Sequence, residues 1–243
     1  MGLLPTPSGV VEVPVENAMD CAPDIGFITN PSYLHMPFAV ALAKNGLNLF
    51  IEKPLGTHLG DIDRLTDFVI QKNLSAYVAY PFRFHWGLYC VKTEYRVERL
   101  KSASIVCRTN RDKWTPYVVG THRRESDGVL LELSHEIDIC QWFFGNIEHI
   151  RGVFDDERAF LKVKCEHVPY EVAITLDLNS REEERYIAFD NDRFDYQRTD
   201  EMYDLQVCNY LSHYQRPEHF RDGFLESVNM FKKLIQFRDG GHG

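Results

Sequence analysis

Three short strings hold the groups that proton transfer needs. Glu52-Lys53-Pro54 follows directly on the apolar run Leu47 to Ile51. A lysine at the mouth of a sheet has its pKa set by burial and neighbouring charge, which suits proton transfer or a fixed cation beside a substrate hydroxyl. The same string also reads as a solvated salt pair on a loop. Glu132, His135 and Asp138 are spaced i, i+3, so one helix would set them on a common face, with Glu136 beside them. A histidine between carboxylates serves as a general acid/base, binds a metal, or is a satisfied histidine on an amphipathic helix. No second histidine follows at the HExxH spacing, so a zinc-protease site is excluded and no metal is expected. Arg83-Phe84-His85 offers an arginine that clamps a hydroxyl or an anion, or one that pins a junction.

Other clusters are weaker. His122-Arg123-Arg124 is too short for a nucleic-acid patch. Arg181 to Arg185 reads as a solvated turn or edge, and Asp190-Asn191-Asp192 as a turn that does not continue into a calcium loop. The chain has no GxSxG, no Walker loop and no GxGxxG.

These strings need elements to hold them. Ile25 to Thr29 is an apolar run that leaves at Asn30-Pro31, a buried strand. A helix over Leu34 to Lys44 stops at Asn45-Gly46. Leu47 to Ile51 is the next strand, Asp61 to Lys72 a second helix, and Ala76 to Tyr80 a third strand. Strands alternating with helices through short connections imply a parallel sheet, with ligands beyond the carboxyl ends of its strands. Those ends carry Thr29-Asn30-Pro31, Glu52-Lys53-Pro54 and Tyr80 to Arg83. After Trp86 the pattern changes. It predicts a helix over Leu88 to Arg99, a strand over Ser102 to Thr109, and one helix over Val129 to Phe144 stopped by Gly145. Strands follow over His149 to Phe154, Phe160 to Glu166, Tyr170 to Leu178 and Glu184 to Phe189, then helices over Asp200 to Ser212 and Asp222 to Phe237. Consecutive strands imply an antiparallel sheet. The fold class is therefore α/β: an incomplete Rossmann-like parallel sheet followed by an α+β domain with an open, mainly antiparallel sheet. The first domain is 1–86 and the second 87–243. Residues before about 20 are punctuated by proline and glycine and read as an extended arm.

Composition is that of a globular protein, 44% hydrophobic and 26% charged, and the net charge of −9 makes nucleic acid a poor partner. No apolar run reaches the length of a membrane helix, and with no basic n-region or long apolar core over Met1 to Pro14 a secretory signal is not expected. The six cysteines are scattered without a CxxC pair, which fits a reducing cytoplasm.

In order and spacing these motifs resemble the Gfo/Idh/MocA oxidoreductases. The carrying residues are Asp24 to Ser32 with His35 after them, Glu52-Lys53-Pro54, Phe82 to His85, the run Asp127 to Asp138 continuing to Trp142 and Gly145, and Met202-Tyr203. The resemblance implies hydride transfer between a sugar or nucleotide-sugar carbon and NAD or NADP. It gives Lys53 and His135 catalytic roles, with Glu132 where the family usually has aspartate. Thr29, Asn30, Pro31, His35, Glu52, Lys53 and Pro54 then line the cofactor, and Lys53, Arg83, His135 and Asp138 the substrate. It also implies a homo-oligomer, since the family's second sheet often packs on a copy of itself. Two features depart from the family: Trp86 stands where proline is expected, and the stretch between Leu178 and Met202 is short by a strand or hairpin. With no glycine loop, the pyrophosphate lacks its usual rest on loop amides and a helix N-terminus. A truncated front and a weak or incomplete cofactor site are therefore expected. The competing expectation is a non-catalytic relative that binds a sugar or dimerises.

Overall fold

A computed structural model describes residue 17 and residues 20–113 and 127–240. Most of the N-terminal arm and the His122-Arg123-Arg124 cluster lie outside the described residues.

The first sheet is β1 (Ile25–Ile28), β2 (Asn48–Glu52) and β3 (Ala76–Ala79), parallel and in that order. Its register pairs Ile28 with Ile51 and Glu52 with Ala79. Helices α1 (Ser32–Lys44) and α2 (Ile62–Gln71) connect the strands. Leu49, Phe50 and Ile51 are all buried, because both faces of this sheet are covered. One face is packed with α1 and α2. On the other, Phe50 and Tyr77 meet Tyr210 and Phe220 in a separate aromatic cluster. Tyr210 comes from α6 (Asp200–His213) and Phe220 from the start of α7 (Pro217–Asp239). Gly46 takes φ 87°, the left-handed stop expected after α1.

The second sheet runs β5-β6-β7-β4-β8-β9. Its strands are β4 (Ala103–Asn110), β5 (Ile147–Phe154), β6 (Arg158–Cys165), β7 (Glu171–Asp177), β8 (Asn179–Phe189) and β9 (Asp192–Asp195). Only the β4–β7 pairing is parallel; the other pairings are antiparallel. Residues alternate in burial along β6 and β7, so one face packs on the core and the other is open. The fold is thus α/β, a small Rossmann-like parallel sheet followed by a larger, mainly antiparallel one.

Four sequence expectations are corrected. The helix after Trp86, α3, spans Trp86–Glu94 and ends well before Arg99. Tyr95 turns extended there and packs its ring on Phe189 and Phe194. The helix expected over Val129 to Phe144 is two: α4 (Gly128–Glu132) and α5 (Ser134–Phe144), parted at Leu133. Arg181 to Arg185 is no solvated turn but part of β8, with the Arg185 side chain only 14% exposed. Finally, α7 starts at Pro217, where proline at the first helical position suits the missing N–H.

Candidate active site

The exits of β2 and β3 reach the second unit, at the end of α4 and at α5, and the exit of β1 is tied to that of β2. From β1, Asn30 leads into Pro31 and α1. His35 on α1 is buried, and its two ring nitrogens lie 2.7 Å from the carbonyl oxygens of Asn30 and Pro54. The ring therefore straps the exit of β1 to the exit of β2. Glu52 ends β2, and its carboxylate accepts from the Lys53 N–H at 3.2 Å. Burial raises the pKa of Glu52, against the pull of the Lys53 charge. The Lys53–Pro54 peptide is cis.

Lys53 reaches across to the second unit. Its Nζ donates to the Glu132 carbonyl oxygen at 2.8 Å, at the end of α4. The break at Leu133 leaves that carbonyl free for the lysine rather than for the next helical turn. Burial lowers the pKa of Lys53; the Glu132 charge opposes this and that of Arg198 adds to it.

His135 is 4% exposed, packed edge-on against the rings of Phe82 (5.3 Å) and Tyr80 (6.0 Å). Burial, then the charges of Lys53, Arg198 and Arg185, hold its pKa well below that of a free histidine, so the ring is neutral at pH 7. Its Nδ1 is buried with no hydrogen-bond partner. A neutral imidazole with an unused nitrogen beside a lysine can take a proton from a hydroxyl.

Arg83 and Asp138 are brought together. Arg83 sits on the 3₁₀ turn Pro81–Phe84 after β3, and gives a forked pair of hydrogen bonds to Asp138, the shortest 2.7 Å. It also meets Glu226 of α7 at 3.4 Å. Asp138 is 1% exposed, and burial raises its pKa despite the arginine. Burial works against the Arg83 charge, but Asp138 outweighs it and the guanidinium pKa ends raised. Both side chains are thus committed to each other at the junction of the two sheets. Thr29 and Asn30 stand at the β1 exit. The Asn30 side-chain oxygen is buried and without a partner, an acceptor left for a ligand at the place where such sheets bind them.

Residues the sequence reading missed complete the wall. Arg185 stands over the Phe82 ring at 4.9 Å, with its Nε 2.9 Å from Glu136. Its N–H groups point at Cys107 Sγ, so Glu136 receives charge rather than a well-aimed hydrogen bond. Tyr196 packs against Phe82 and His85, its hydroxyl buried without a partner. Arg198 lies in the connector between β9 and α6. Nothing in the sequence marks these three, since their roles depend on β8 and β9 folding back onto α5.

Comparison with known proteins agrees with this fold. A myo-inositol 2-dehydrogenase of Thermotoga maritima is 24% identical over 134 residues, 55% of this chain but 39% of that protein. The chain therefore spans well under half the length of this curated relative. Among solved structures, the WlbA dehydrogenase of Thermus thermophilus, in complex with NAD and UDP-GlcNAcA, superposes with a TM-score of 0.71 at 17% identity. That match covers 88% of this chain and 72% of the other. Myo-inositol 2-dehydrogenase of Lactobacillus plantarum superposes with a TM-score of 0.74 at 13% identity, over 94% and 81% of the two chains. At these identities the likeness is one of fold. The sequence match that carries a family is narrower: residues 11–80 match the Gfo/Idh/MocA model, the oxidoreductase family with an NAD-binding Rossmann fold.

Proposed function

We propose that this chain carries the catalytic and substrate-binding part of an NAD(P)-dependent oxidoreductase acting on a hydroxyl of a sugar or nucleotide sugar. The observation that carries this reading is Lys53, at the mouth of a Rossmann-like sheet, bonded to the Glu132 carbonyl three residues before a buried His135 whose neutral form the lysine charge favours. NAD or NADP supplies the hydride acceptor or donor. Asn30, with its unpartnered side-chain oxygen, and Thr29, Pro31, Glu52 and Pro54 around it fit the nicotinamide end. His35 holds that wall in place through two carbonyls. His135 accepts the hydroxyl proton, and Lys53 steadies the alkoxide as its charge develops. Glu132 anchors the lysine through its backbone. Arg83 and Asp138 set the distance between the two halves of the site.

We assign residues 1–86 to the cofactor unit and 87–243 to the substrate unit. Homo-oligomerisation is proposed through the open face of the second sheet, where the cross-strand pair Val153 and Phe160 is 66% and 53% exposed. All six cysteines are free, which supports a reducing compartment such as the cytoplasm. Among the described residues no helix is long and apolar enough to cross a membrane.

One observation favours a second reading. The 243 residues hold no GxGxxG, so the pyrophosphate has no visible loop to rest on, and a non-catalytic sugar-binding relative would look the same. Calorimetric titration of the chain with NADH and NADPH separates the two. Micromolar binding, with turnover that falls far more than sugar affinity on Lys53→Ala, supports the enzyme. A folded chain that binds neither nucleotide up to millimolar leaves the sugar-binding protein.

A further inference from the structure

A cavity of about 670 Å³ lies where β4, β8 and β9 reach the β9–α6 connector. Five cations line it: Arg108, Lys113, Arg185, Arg193 and Arg198. Four of them are already paired. Arg108 meets Glu184 at 2.5 Å, Lys113 meets Glu183 at 3.2 Å, Arg193 meets Asp195 at 2.6 Å, and Arg185 meets Glu136 at 2.9 Å. Arg198 differs from them. It is exposed and lines the same cavity, yet among the described residues no carboxylate pairs with it.

Its charge is directed at the reaction site. Arg198 acts on His135 and on Lys53, in each case disfavouring their charged forms, and it stabilises the Glu52 carboxylate. The cavity wall reaches that site through Phe82, whose ring lies under Arg185 and packs against both Tyr196 and His135. An anion in the cavity gives Arg198 the partner it lacks, and a guanidinium is the side chain best shaped to hold a carboxylate or phosphate through two hydrogen bonds. The cavity wall also includes Tyr196, 3% exposed, whose hydroxyl has no partner in the protein. A buried hydroxyl left unsatisfied is a donor awaiting an acceptor.

We infer that the substrate carries an anionic group, phosphate or carboxylate, bound by Arg198 in this cavity, and that Arg198 selects charged sugars over neutral polyols. This rests on reading the Lys53–His135 site as the place where a sugar is oxidised. The anion sets which sugar enters. The hydroxyl to be oxidised is the one left facing His135.

The test measures binding to the full chain with no nicotinamide present, using UDP, glucuronate and myo-inositol as probes. UDP or glucuronate is expected to bind at least tenfold more tightly than myo-inositol. Arg198→Ala should weaken the bound anion by roughly 10- to 100-fold and leave myo-inositol unchanged, as expected for losing a hydrogen bond to a charged group. Arg198→Lys, which keeps the charge but loses the fork, should recover part of the affinity and confirms that a folded protein was measured. UDP binding without glucuronate binding identifies a phosphate; the reverse identifies a carboxylate. Myo-inositol bound as tightly as either anion, or anion affinity unmoved by Arg198→Ala, overturns the inference. The hydride-transfer reading fails separately, through absent nucleotide binding or unchanged turnover in Lys53→Ala, and neither result alters anion affinity.

Discussion

At the scale of single residues, burial does most of the tuning, and it acts on His135 and Lys53 in the same direction. It disfavours charge on both, so the histidine stays neutral below its usual value of 6.5 and the lysine releases its proton below 10.5. The proposed roles need a neutral histidine and a charged lysine. Activity should therefore rise with pH as His135 loses its proton, with that limb lying below pH 6.5. It should fall again as Lys53 loses its own, with that limb lying below pH 10.5. A pH profile of kcat/KM over the full range tests both signs. Lys53→Arg should push the alkaline limb upward even if it lowers the maximum, because a guanidinium keeps its proton. His135→Asn should cost about 10²- to 10⁴-fold in kcat, the usual worth of a general base. An acid limb at or above pH 6.5 would remove His135 from that role.

At the scale of elements, Arg83 is the fastener. It joins the turn after β3 to Asp138 on α5 and Glu226 on α7, two ends of the molecule that are far apart in sequence. Removing one partner of a buried pair strands the other, so Arg83→Met should cost about 3–5 kcal/mol of stability. Adding Asp138→Leu should recover much of it, since the uncompensated carboxylate leaves as well. Denaturant unfolding of both single variants and the double variant gives the coupling; a value under about 0.5 kcal/mol would show that the pair acts independently. Sequence showed both residues but not their pairing, and the same limit recurs elsewhere. The strands and helices of the first sheet were legible because each is a short apolar run closed by a turn signal, such as Asn45-Gly46 or Asn30-Pro31. Gly145, at φ 86°, was legible as a stop for the same local reason. The break at Leu133 was not. Neither proline nor glycine stands there, and what ends α4 includes the Lys53 ammonium arriving at the Glu132 carbonyl from across the molecule. Strand β9 was hidden because Asp190-Asn191-Asp192 reads as a turn. Asp190 and Asn191 do form a turn, with Asp190 at φ 48°, but Asp192 already starts a short strand beside β8. Arg185 sits in a run of five charged residues, where the solvated reading is natural, and only the pleat of β8 sends it inward to Glu136. Lys53 and His135 were visible as candidates from residue type and position, whereas Tyr196 and Arg198 needed the tertiary fold.

At the scale of the whole molecule, the two sheets share one apolar core. Ile51 and Val78 of the first sheet, Leu161 and Val163 of the second, and Phe224 and Phe231 of α7 belong to a single buried cluster. Helix α7 bridges the sheets. Phe231 lies close to Gly56, where an added Cβ would come within 3.6 Å of its ring, in the loop that follows Lys53. Further along, Phe237 packs its ring on Phe154 of β5 at 5.3 Å. A helix that buries one side chain against the loop after Lys53 and another against the second sheet makes the fold of each depend on the other. Phe231→Ala should remove about 3–5 kcal/mol through the cavity it leaves. Because the cluster is shared, that loss should be felt by both sheets together in one cooperative transition. Amide hydrogen exchange reads this directly. Protection of Phe50 and Ile51 in β2 should fall by the same factor as that of Leu161 and Val163 in β6. If β2 loses protection while β6 keeps it, the two units unfold separately, and the site between them is assembled by docking rather than by folding. Equal losses would mean that the distance from Lys53 to His135 is fixed by the same core that stabilises the chain. Activity and global stability would then decline together in any variant that loosens α7.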